Sequence, residues 1–406
     1  MPELSSRERL LAAIDGKKDA PLPCCFMIFR ALRKKCRDEL DFVIRQQELG
    51  LDARVQLEDI AIRFSPEAKV REWAEPSSAG EPKLLHRAYE TPAGTLTATV
   101  KRTEDWPHGE RVPIFDDYFT PRAVRYLVPA PQAQLLEALR YIFVEPTAED
   151  IAAFREQTAA SKRIADERGL LLTGGWKSQR FIAGEDKGLV GDNGGTGTVI
   201  DTLMWLCGGV EPLMWAYDDP DFLRELIAII ERWNLRRLQF HLEAGAELVM
   251  HRAWYEGTEF WSPALYRQFV LPGLKREVEL THQAGARFGY ILTSGMLPLA
   301  DLLVEAGIDV IIGIDPGQGK GTTLHDVAHA LGGRVALWGG VSGPLAVETG
   351  TPEQVRRAVE EAITALGPTG RFILSPADNV REDTELAWSN VKVFIAAWRA
   401  LTGSRG

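Results

Sequence analysis

Cysteine is scarce in this chain, and the spacing of its four copies, Cys24, Cys25, Cys36 and Cys207, indicates neither a disulfide framework nor a metal site. Basic residues are also in the minority: 47 lysines and arginines stand against 57 aspartates and glutamates, a net charge of −10. That deficit argues against a nucleic-acid partner, because no basic surplus exists to neutralise phosphates. No run reaches the roughly 20 apolar residues that span a bilayer, and the polar N-terminus carries no signal-peptide pattern. We therefore expect a cytoplasmic protein with no membrane partner.

The main feature of the sequence is a series of short apolar runs that alternate with helical patterns. Eight runs are interpreted as strands: Leu22–Met27, Ala53–Leu57, Leu170–Thr173, Glu247–His251, Arg287–Ile291, Val310–Ile314, Val335–Trp338 and Phe372–Leu374. Helical patterns accompany the later strands, at Pro220–Glu243, Pro263–Gln283, Leu297–Ala306, Thr323–Leu331 and Pro352–Leu366. Strands joined by helical crossovers favour a parallel sheet, and eight repeats predict an α/β fold closed into a (β/α)8 TIM barrel.

About a hundred residues separate the second and third predicted strands, which is too many for one crossover. Two alternating runs in this stretch, Leu84–Tyr89 and Leu96–Lys101, flank the turn sequence Thr91-Pro92-Ala93-Gly94 and predict a β-hairpin. Two helical segments follow, at Pro131–Tyr141 and Ala148–Glu167. We expect one domain over residues 1–406, in which residues 60–165 form an inserted hairpin and helical cap.

The carboxyl ends of the strands are where a parallel barrel places its active site. The polar and aromatic residues at those ends are Met27, Arg30, Glu58, Asp59, Trp176, Lys177, His251, Arg252, Tyr290, Thr293, Asp315, Trp338, Ser375 and Asp378. The densest cluster runs from His251 to Trp261 and combines an imidazole, a guanidinium, two carboxylates and several rings. The alternative is structural: Arg252 pairs with a carboxylate and His251 is a hydrogen-bonded core residue.

Two further features bear on ligand binding. The glycine-rich stretch from Gly184 to Gly195 contains Asp192 and Asn193 and lacks nucleotide-binding spacing, so it is either a ligand-contacting loop or a plain surface loop. The chain also has 11 tryptophans, of which four lie at strand ends or in the loops beyond them: Trp176, Trp254, Trp261 and Trp338. They favour an aromatic-lined pocket for a neutral aromatic or methylated small molecule, unless they fill space between barrel and helices.

Several segments of the second half carry a family resemblance: Trp261-Ser262-Pro263-Ala264-Leu265-Tyr266, Val270-Leu271-Pro272, Gly289-Tyr290-Ile291-Leu292-Thr293-Ser294-Gly295, Asp309-Val310-Ile311-Ile312-Gly313-Ile314-Asp315-Pro316 and Trp338-Gly339-Gly340-Val341. Their succession resembles the uroporphyrinogen decarboxylase superfamily, which also includes corrinoid-dependent methyltransferases. The hairpin sequence from Tyr89 to Leu96 resembles the methyltransferase-like branch. The resemblance spans nearly the whole chain and implies the barrel fold.

The usual chemistry of that superfamily does not transfer directly. Its zinc-using methyltransferases have His-x-Cys-Gly where this chain has Leu292-Thr293-Ser294-Gly295, and their third ligand falls near Asp378. The resemblance therefore implies no thiol-activating zinc here, and leaves a rebuilt oxygen and nitrogen site, from His251, Glu256 or Glu259 with Asp378, as an alternative. The decarboxylases have an Arg-Gln-Ala-Gly-Arg motif where this chain reads Phe29-Arg30-Ala31-Leu32-Arg33, so one arginine of the substrate grip is kept.

Taken together, the resemblance implies a methyltransferase that moves a methyl group from a small O-methylated substrate, such as an aryl methyl ether, to the cobalt(I) of a corrinoid (cobalamin) on a separate protein. It also favours a homodimer. The expected acid or catalytic residues are His251, Glu256, Glu259, Tyr290 and Asp378. The expected substrate-binding residues are Met27, Arg30, Trp176, Asp192, Asn193, Arg252, Trp254 and Trp338. Two alternatives stay open: a decarboxylase or other lyase in which Arg30 or Arg252 grips a carboxylate, and a non-catalytic corrinoid-accessory protein.

Overall fold

A curled parallel sheet of seven strands organises the structure, a computed structural model that describes residues 4–17, 19–76, 81–176, 198–318 and 321–403. Its strands, in spatial order, are β1 (Arg54–Gln56), β6 (Leu171–Gly175), β7 (Leu248–Arg252), β8 (Arg287–Ile291), β9 (Val310–Ile314), β10 (Ala336–Ser342) and β11 (Phe372–Ala377). A second sheet is antiparallel and contains β2 (Lys69–Glu75), β3 (Lys83–Thr91), β4 (Gly94–Arg102) and β5 (Ala123–Arg125). Seven of the eight predicted strands are therefore present.

Helices connect the parallel strands. They are α1 (Ser6–Asp15), α2 (Arg30–Arg33), α3 (Glu39–Glu48), α4 (Ala133–Leu139), α5 (Ala148–Arg168), α6 (Val199–Cys207), α7 (Glu211–Asp218), α8 (Pro220–Glu243), α9 (Pro263–Leu265), α10 (Leu271–Gln283), α11 (Ala300–Ala306), α12 (Leu324–Leu331), α13 (Pro352–Leu366) and α14 (Glu385–Thr402). Two π-helical segments, Tyr266–Val270 and Gly343–Glu348, adjoin α9 and β10. In the part of the chain that the structure describes, no helix combines the length and apolar character needed to cross a membrane.

The parallel strands are buried on both faces, which explains their near-continuous apolar sequences. Met250, Ile291 and Trp338 pack together in a cluster enclosed by the curled sheet. Their neighbours along the strands, such as Val249 and Tyr290, belong to the larger core between sheet and helices. This alternation decides which strand-end side chains face the interior of the sheet and which face the helices.

The first predicted strand, Leu22–Met27, is the fold prediction that is wrong. This segment makes a single parallel bridge, between Cys24 and Leu374 of β11, with Cys25 N donating to Leu374 O at 3.0 Å. On its other side, Asp52 N donates to Cys24 O at 2.8 Å. Pro21 and Pro23 have no amide hydrogen, so a regular ladder cannot form here. An irregular segment thus lies between the two edges of the parallel sheet.

The antiparallel sheet lies in the chain between β1 and β6. Its β3 and β4 pair with Tyr89 opposite Leu96 and Thr91 opposite Gly94. The sequence pattern did not predict β2 and β5, because β2 is largely exposed and lacks apolar alternation. Helices α4 and α5 then lead to β6.

Candidate active site at the carboxyl ends of the strands

A cavity of about 310 Å³ opens at the carboxyl ends of β8 and β9. Four segments line it: Thr258 and Glu259 after β7, Thr293 to Pro298 after β8, Ile314 to Pro316 with Gln318 after β9, and Thr322 to Leu324 with Val327 at the start of α12. Its position is the one at which parallel α/β barrels bind substrates. The lining combines hydroxyl groups, two carboxylates and aliphatic side chains, and none of the described lining residues is basic.

Glu259 reaches this cavity because the loops after β7 and β8 touch. Thr258 N and Thr258 Oγ1 both donate to Gly295 O, at 3.4 and 3.1 Å. Gly295 has a φ of 68°, and a Cβ there would overlap Glu259 Oε2 and lie 2.7 Å from Thr258 N. Glycine is therefore required at this approach, for conformation and for space. The Glu259 carboxylate is exposed and has no hydrogen bond or ion pair to any residue of the described ranges.

Asp315 supplies the second carboxylate. It follows the last residue of β9 and is only 3% exposed. Its donors are all neutral: Gly317 N at 2.8 Å, Gln318 Nε2 at 3.1 Å and Ser342 Oγ at 3.3 Å. These contacts fix the side chain without neutralising its charge, so the cavity has a fixed carboxylate beside the exposed one of Glu259. Asp315 and Thr293 stood in the strand-end pattern, but the sequence gave no reason to prefer them to the other residues there.

Three of the predicted catalytic residues, His251, Glu256 and Tyr290, lie together in a buried network. His251 Nε2 lies 2.9 Å from Glu256 Oε1, and His251 Nδ1 lies 2.8 Å from Glu277 Oε2 of α10. The Tyr290 hydroxyl donates to Glu256 Oε2 at 2.5 Å and accepts from Tyr266, whose hydroxyl oxygen is 2.9 Å away. Burial by itself lowers the pKa of His251, but the Glu256 and Glu277 carboxylates raise it well above its usual range. His251 is therefore an imidazolium that donates from both nitrogens.

This network lies between the sheet and the helices. Glu277 also accepts from Asn234 of α8 at 3.0 Å, and Asn234 Oδ1 accepts from Arg237 at 3.3 Å. Arg237 and His241 of α8 then bind Asp59. Because these groups satisfy one another and His251, Glu256 and Tyr290 do not line the cavity, their contribution is to hold the loop that carries Glu259.

Arg252 points to the other side of β7 and is also fully used. Its Nη1 donates to Asp201 Oδ2 at 2.8 Å, and its Nη2 binds Asp117 of the inserted region. The guanidinium carbon lies 4.0 Å from the Trp254 ring centre. Burial raises the pKa of Asp201 to about 7, against the opposing effect of Arg252. The structural alternative for Arg252, pairing with a carboxylate, is the arrangement found.

Three predicted ligand contacts from the aromatic and apolar set lie close to the interior of the sheet. Trp176, at the end of β6, makes an edge-to-face contact with Trp254 at 5.5 Å between ring centres. Trp338 is fully buried, and its Nε1 donates to Cys25 O at 2.8 Å. Met27 N donates to Ser375 Oγ at 2.8 Å. None of these side chains lines the 310 Å³ cavity.

Asp378 and Arg30 lie beyond β11. Asp378 is the one non-glycine residue with positive φ, 62°, in the described ranges, and its Oδ2 accepts from Arg381 at 3.0 Å. Arg30 N donates to Asn379 Oδ1 at 3.3 Å. Backbone strain of this kind clusters at functional sites, although the pair with Arg381 ties Asp378 down. The predicted contacts Asp192 and Asn193 lie outside the described residues.

The side chains at the three superfamily zinc positions do not fit a thiol-activating zinc. Leu292 is apolar and 2% exposed, Ser294 presents a hydroxyl, and Asp378 binds Arg381. Zinc of that kind takes thiolate and imidazole ligands, and none is present here. Across the described residues there is also no group of three or more His, Cys, Asp or Glu side chains able to hold a metal ion. Of the residues named for a rebuilt oxygen and nitrogen site, His251 binds Glu256 and Asp378 binds Arg381.

Comparison with known proteins gives a family and a fold. Residues 190–401, more than half of the chain, match the family model for uroporphyrinogen decarboxylase (URO-D). A methyltransferase from Methanosarcina mazei has a TM-score of 0.58 and 16% sequence identity, covering 98% of this chain and 99% of that one, which shows a shared fold. A B12-independent methionine synthase from Shewanella sp. W3-18-1 reaches a TM-score of only 0.41 at 9% identity, over 60% of this chain and 65% of that one. Curated proteins give no match.

Proposed function

The chain belongs to the uroporphyrinogen decarboxylase family, and from that premise we propose that it is a methyltransferase. Its substrate is a small O-methylated molecule, with aryl methyl ethers the first class to test. The methyl acceptor is the cobalt of a corrinoid on a separate protein. The observation that carries this proposal is the cavity in which the Glu259 carboxylate stands without a partner beside the segment Leu292–Gly295.

Cleavage of a methyl–oxygen bond needs a proton donor, because the oxygen keeps the bonding electron pair and an unprotonated alkoxide or phenoxide leaves poorly. We assign the proton donor to Glu259, whose exposed carboxylate takes up a proton from solvent and passes it to the leaving oxygen. Asp315, already bound by three donors, orients the ligand by accepting its hydrogen bonds. The hydroxyls of Thr258 and Ser294 add weaker polar contacts at the same wall.

The remaining wall supports a neutral apolar ligand. Met296, Leu297, Ile314, Leu324 and Val327 line the cavity with aliphatic surface. A volume of about 310 Å³ is at the lower end of small-molecule sites, which suits a single substituted ring. A multiply charged porphyrinogen would need several basic groups, and the described lining has none.

The rim of the cavity is exposed, so a partner protein could reach a ligand bound there. Glu259, Pro298 and Gln318 are exposed at the rim, so a ligand in the cavity can be reached from outside. When bound, the corrinoid supplies a two-electron nucleophile for the methyl group. The chain itself then has to bind the donor, orient its methyl group outward and protonate its oxygen.

Decarboxylation is the second candidate, and the family description favours it. The structure supports it less well, because Arg252, a candidate to bind the substrate carboxylate, is already bound by Asp117 and Asp201. A decarboxylase would release carbon dioxide from a small acid with no corrinoid present, whereas the accessory-protein alternative gives no product of either kind.

The deciding experiment is an anaerobic assay of the purified protein with reduced corrinoid and a panel of methoxylated aromatics, followed by chromatography of the demethylated product. We expect product only when protein, corrinoid and donor are all present. Absence of product with an active corrinoid control, together with carbon dioxide release from an aromatic acid, would replace methyl transfer by decarboxylation.

A further inference from the structure

Arg54 is a buried cation that forms no ion pair with any carboxylate of the described residues. It is 7% exposed and begins β1, where it faces the gap between that strand and the irregular segment at residues 22–27. Its Nη1 donates to Thr173 Oγ1 and its Nη2 to Met27 O, each at 3.0 Å. Both acceptors are neutral, Nε has no partner, and no carboxylate pairs with Arg54 anywhere in the described chain. Burial lowers its pKa, yet arginine stays protonated in proteins.

Such an arrangement is unfavourable, because burying an ion carries a large desolvation penalty unless an opposite charge compensates it. The charge of Glu39 raises the pKa of Arg54, but the ion pair that Glu39 makes, at 2.6 Å, is with Arg33. Arg54 therefore has no carboxylate partner of its own among the described residues.

A small cavity of about 20 Å³ adjoins the guanidinium. Its polar lining consists of Arg33, Glu39, Gln46, Arg54 and Gln56, and five apolar side chains between Phe26 and Phe42 complete it. That volume holds one or two water-sized groups. It has room for a halide or for the two oxygens of a carboxylate head group, but not for an aromatic ring.

We propose that this cavity binds a small monovalent anion, held by Arg54 and the amide groups of Gln46 and Gln56. The anion is either a free ion or the carboxylate head of a larger molecule, and both offer the same acceptor chemistry to the guanidinium. The site explains why an arginine occupies the gap left by the incomplete strand: it caps Met27 O and presents its remaining donor to the anion. This inference goes beyond methyl transfer and does not depend on it.

The test measures the unfolding midpoint against anion concentration at constant ionic strength, with methanesulfonate, which has no carboxylate, as the bulky replacement anion. We expect a saturable rise with bromide and with formate in the wild-type protein and in R232M, which removes an exposed arginine of α8. R54M should lose the saturable part. R54M should also fold, since replacing a buried charge by an apolar side chain of similar size is often neutral or stabilising.

Larger carboxylates separate the two sources. Saturation by bromide and formate alone identifies a free ion, whereas saturation by acetate and benzoate as well identifies the head group of a larger ligand. A second, independent measurement is the anomalous signal of bromide in a soaked crystal, expected beside Arg54. If bromide gives no peak there and wild type and R54M respond alike, the cavity holds water only and the proposal is overturned.

Discussion

Glu259 lies directly against Gly295, and the two loops they belong to can meet only because position 295 has no Cβ. The contact joins the loop after β7 to the loop after β8, and two hydrogen bonds from Thr258 to Gly295 O secure it. This contact holds the Glu259 side chain, which is long and flexible, at one wall of the cavity. The position of the proposed proton donor thus depends on a glycine of the neighbouring loop.

Replacing that glycine tests the relationship. G295A adds a Cβ against Thr258 N and imposes a left-handed conformation that costs alanine about 1 kcal/mol. The matched control is G285A, because Gly285 also has a positive φ, 77°, with nothing within 4 Å of an added Cβ. We expect G295A to lower the free energy of unfolding by at least about 1 kcal/mol more than G285A, and to impair demethylation. Equal losses in denaturant titrations would show that the loops do not need the close approach.

Glu259 itself is tested by E259Q, which keeps the shape and removes the acid. We expect kcat/KM for demethylation to fall by about 10²-fold or more, in line with the loss of a general acid, while ligand binding by calorimetry is unchanged. E279Q changes an exposed glutamate of α10 and should leave both quantities at the wild-type level. Unchanged turnover in E259Q would remove this residue from the mechanism.

We expect the deprotonation of His251 to lower the free energy of unfolding as the pH rises. Its pKa in the folded protein is well above the unfolded value of about 6.5, because of Glu256 and Glu277. Its stabilisation is therefore complete below about pH 6.5 and is lost as the pH rises toward the folded pKa, at most about 1.4 kcal/mol per pH unit. Denaturant unfolding between pH 6 and 9 should show wild type losing its advantage over H251Q. A pH-independent gap between the two proteins would contradict the imidazolium assignment, and H329Q, at an exposed site, serves as control.

We expect Asp201 to cause a second pH dependence of the free energy of unfolding, at lower pH than that of His251. Burial raises its folded pKa to about 7, whereas the unfolded value is about 3.9. Between these values the folded state holds a proton that the unfolded state has lost, so wild-type stability falls as pH rises through the window. The unfolding free energy of D201N minus that of wild type should therefore increase from about pH 4 to 7 and level off above it. The same denaturant series measures it, and a flat difference would mean that Asp201 is ionised throughout.

The sequence was a good guide to the strands and a poorer one to the direction of side chains. Seven strands could be read from short apolar runs, because burial on both faces leaves a continuous signal. Leu22–Met27 gave the same signal, but Pro23 has no amide hydrogen, and the amides of Cys24 and Met27 donate to the side chains of Asp52 and Ser375. A run of apolar residues reports burial, and hydrogen bonding has to be judged separately.

The candidate site shows the same limit. His251 and Arg252 are adjacent and both stood out as strand-end residues, yet they point to opposite sides of β7 and bind different carboxylates. Nothing in the sequence says which side opens into a cavity, since that depends on how the following loop folds back. Glu259 could be predicted from the sequence because it belongs to the loop after β7. Asp315 could not be preferred to other strand-end residues, because its role follows from its neutral hydrogen-bond donors and its place in the cavity wall.

The bridge between Cys24 and Leu374 has a consequence for how the protein is made. It joins a segment that precedes β1 to β11, the last of the described strands in chain order. Until β11 leaves the ribosome, the first segment lacks its partner and the apolar interior of the sheet stays open along that side. Contacts so distant in sequence also form slowly. The nascent chain therefore exposes this apolar surface until β11 has emerged, and the barrel-like sheet can complete its edge only after that.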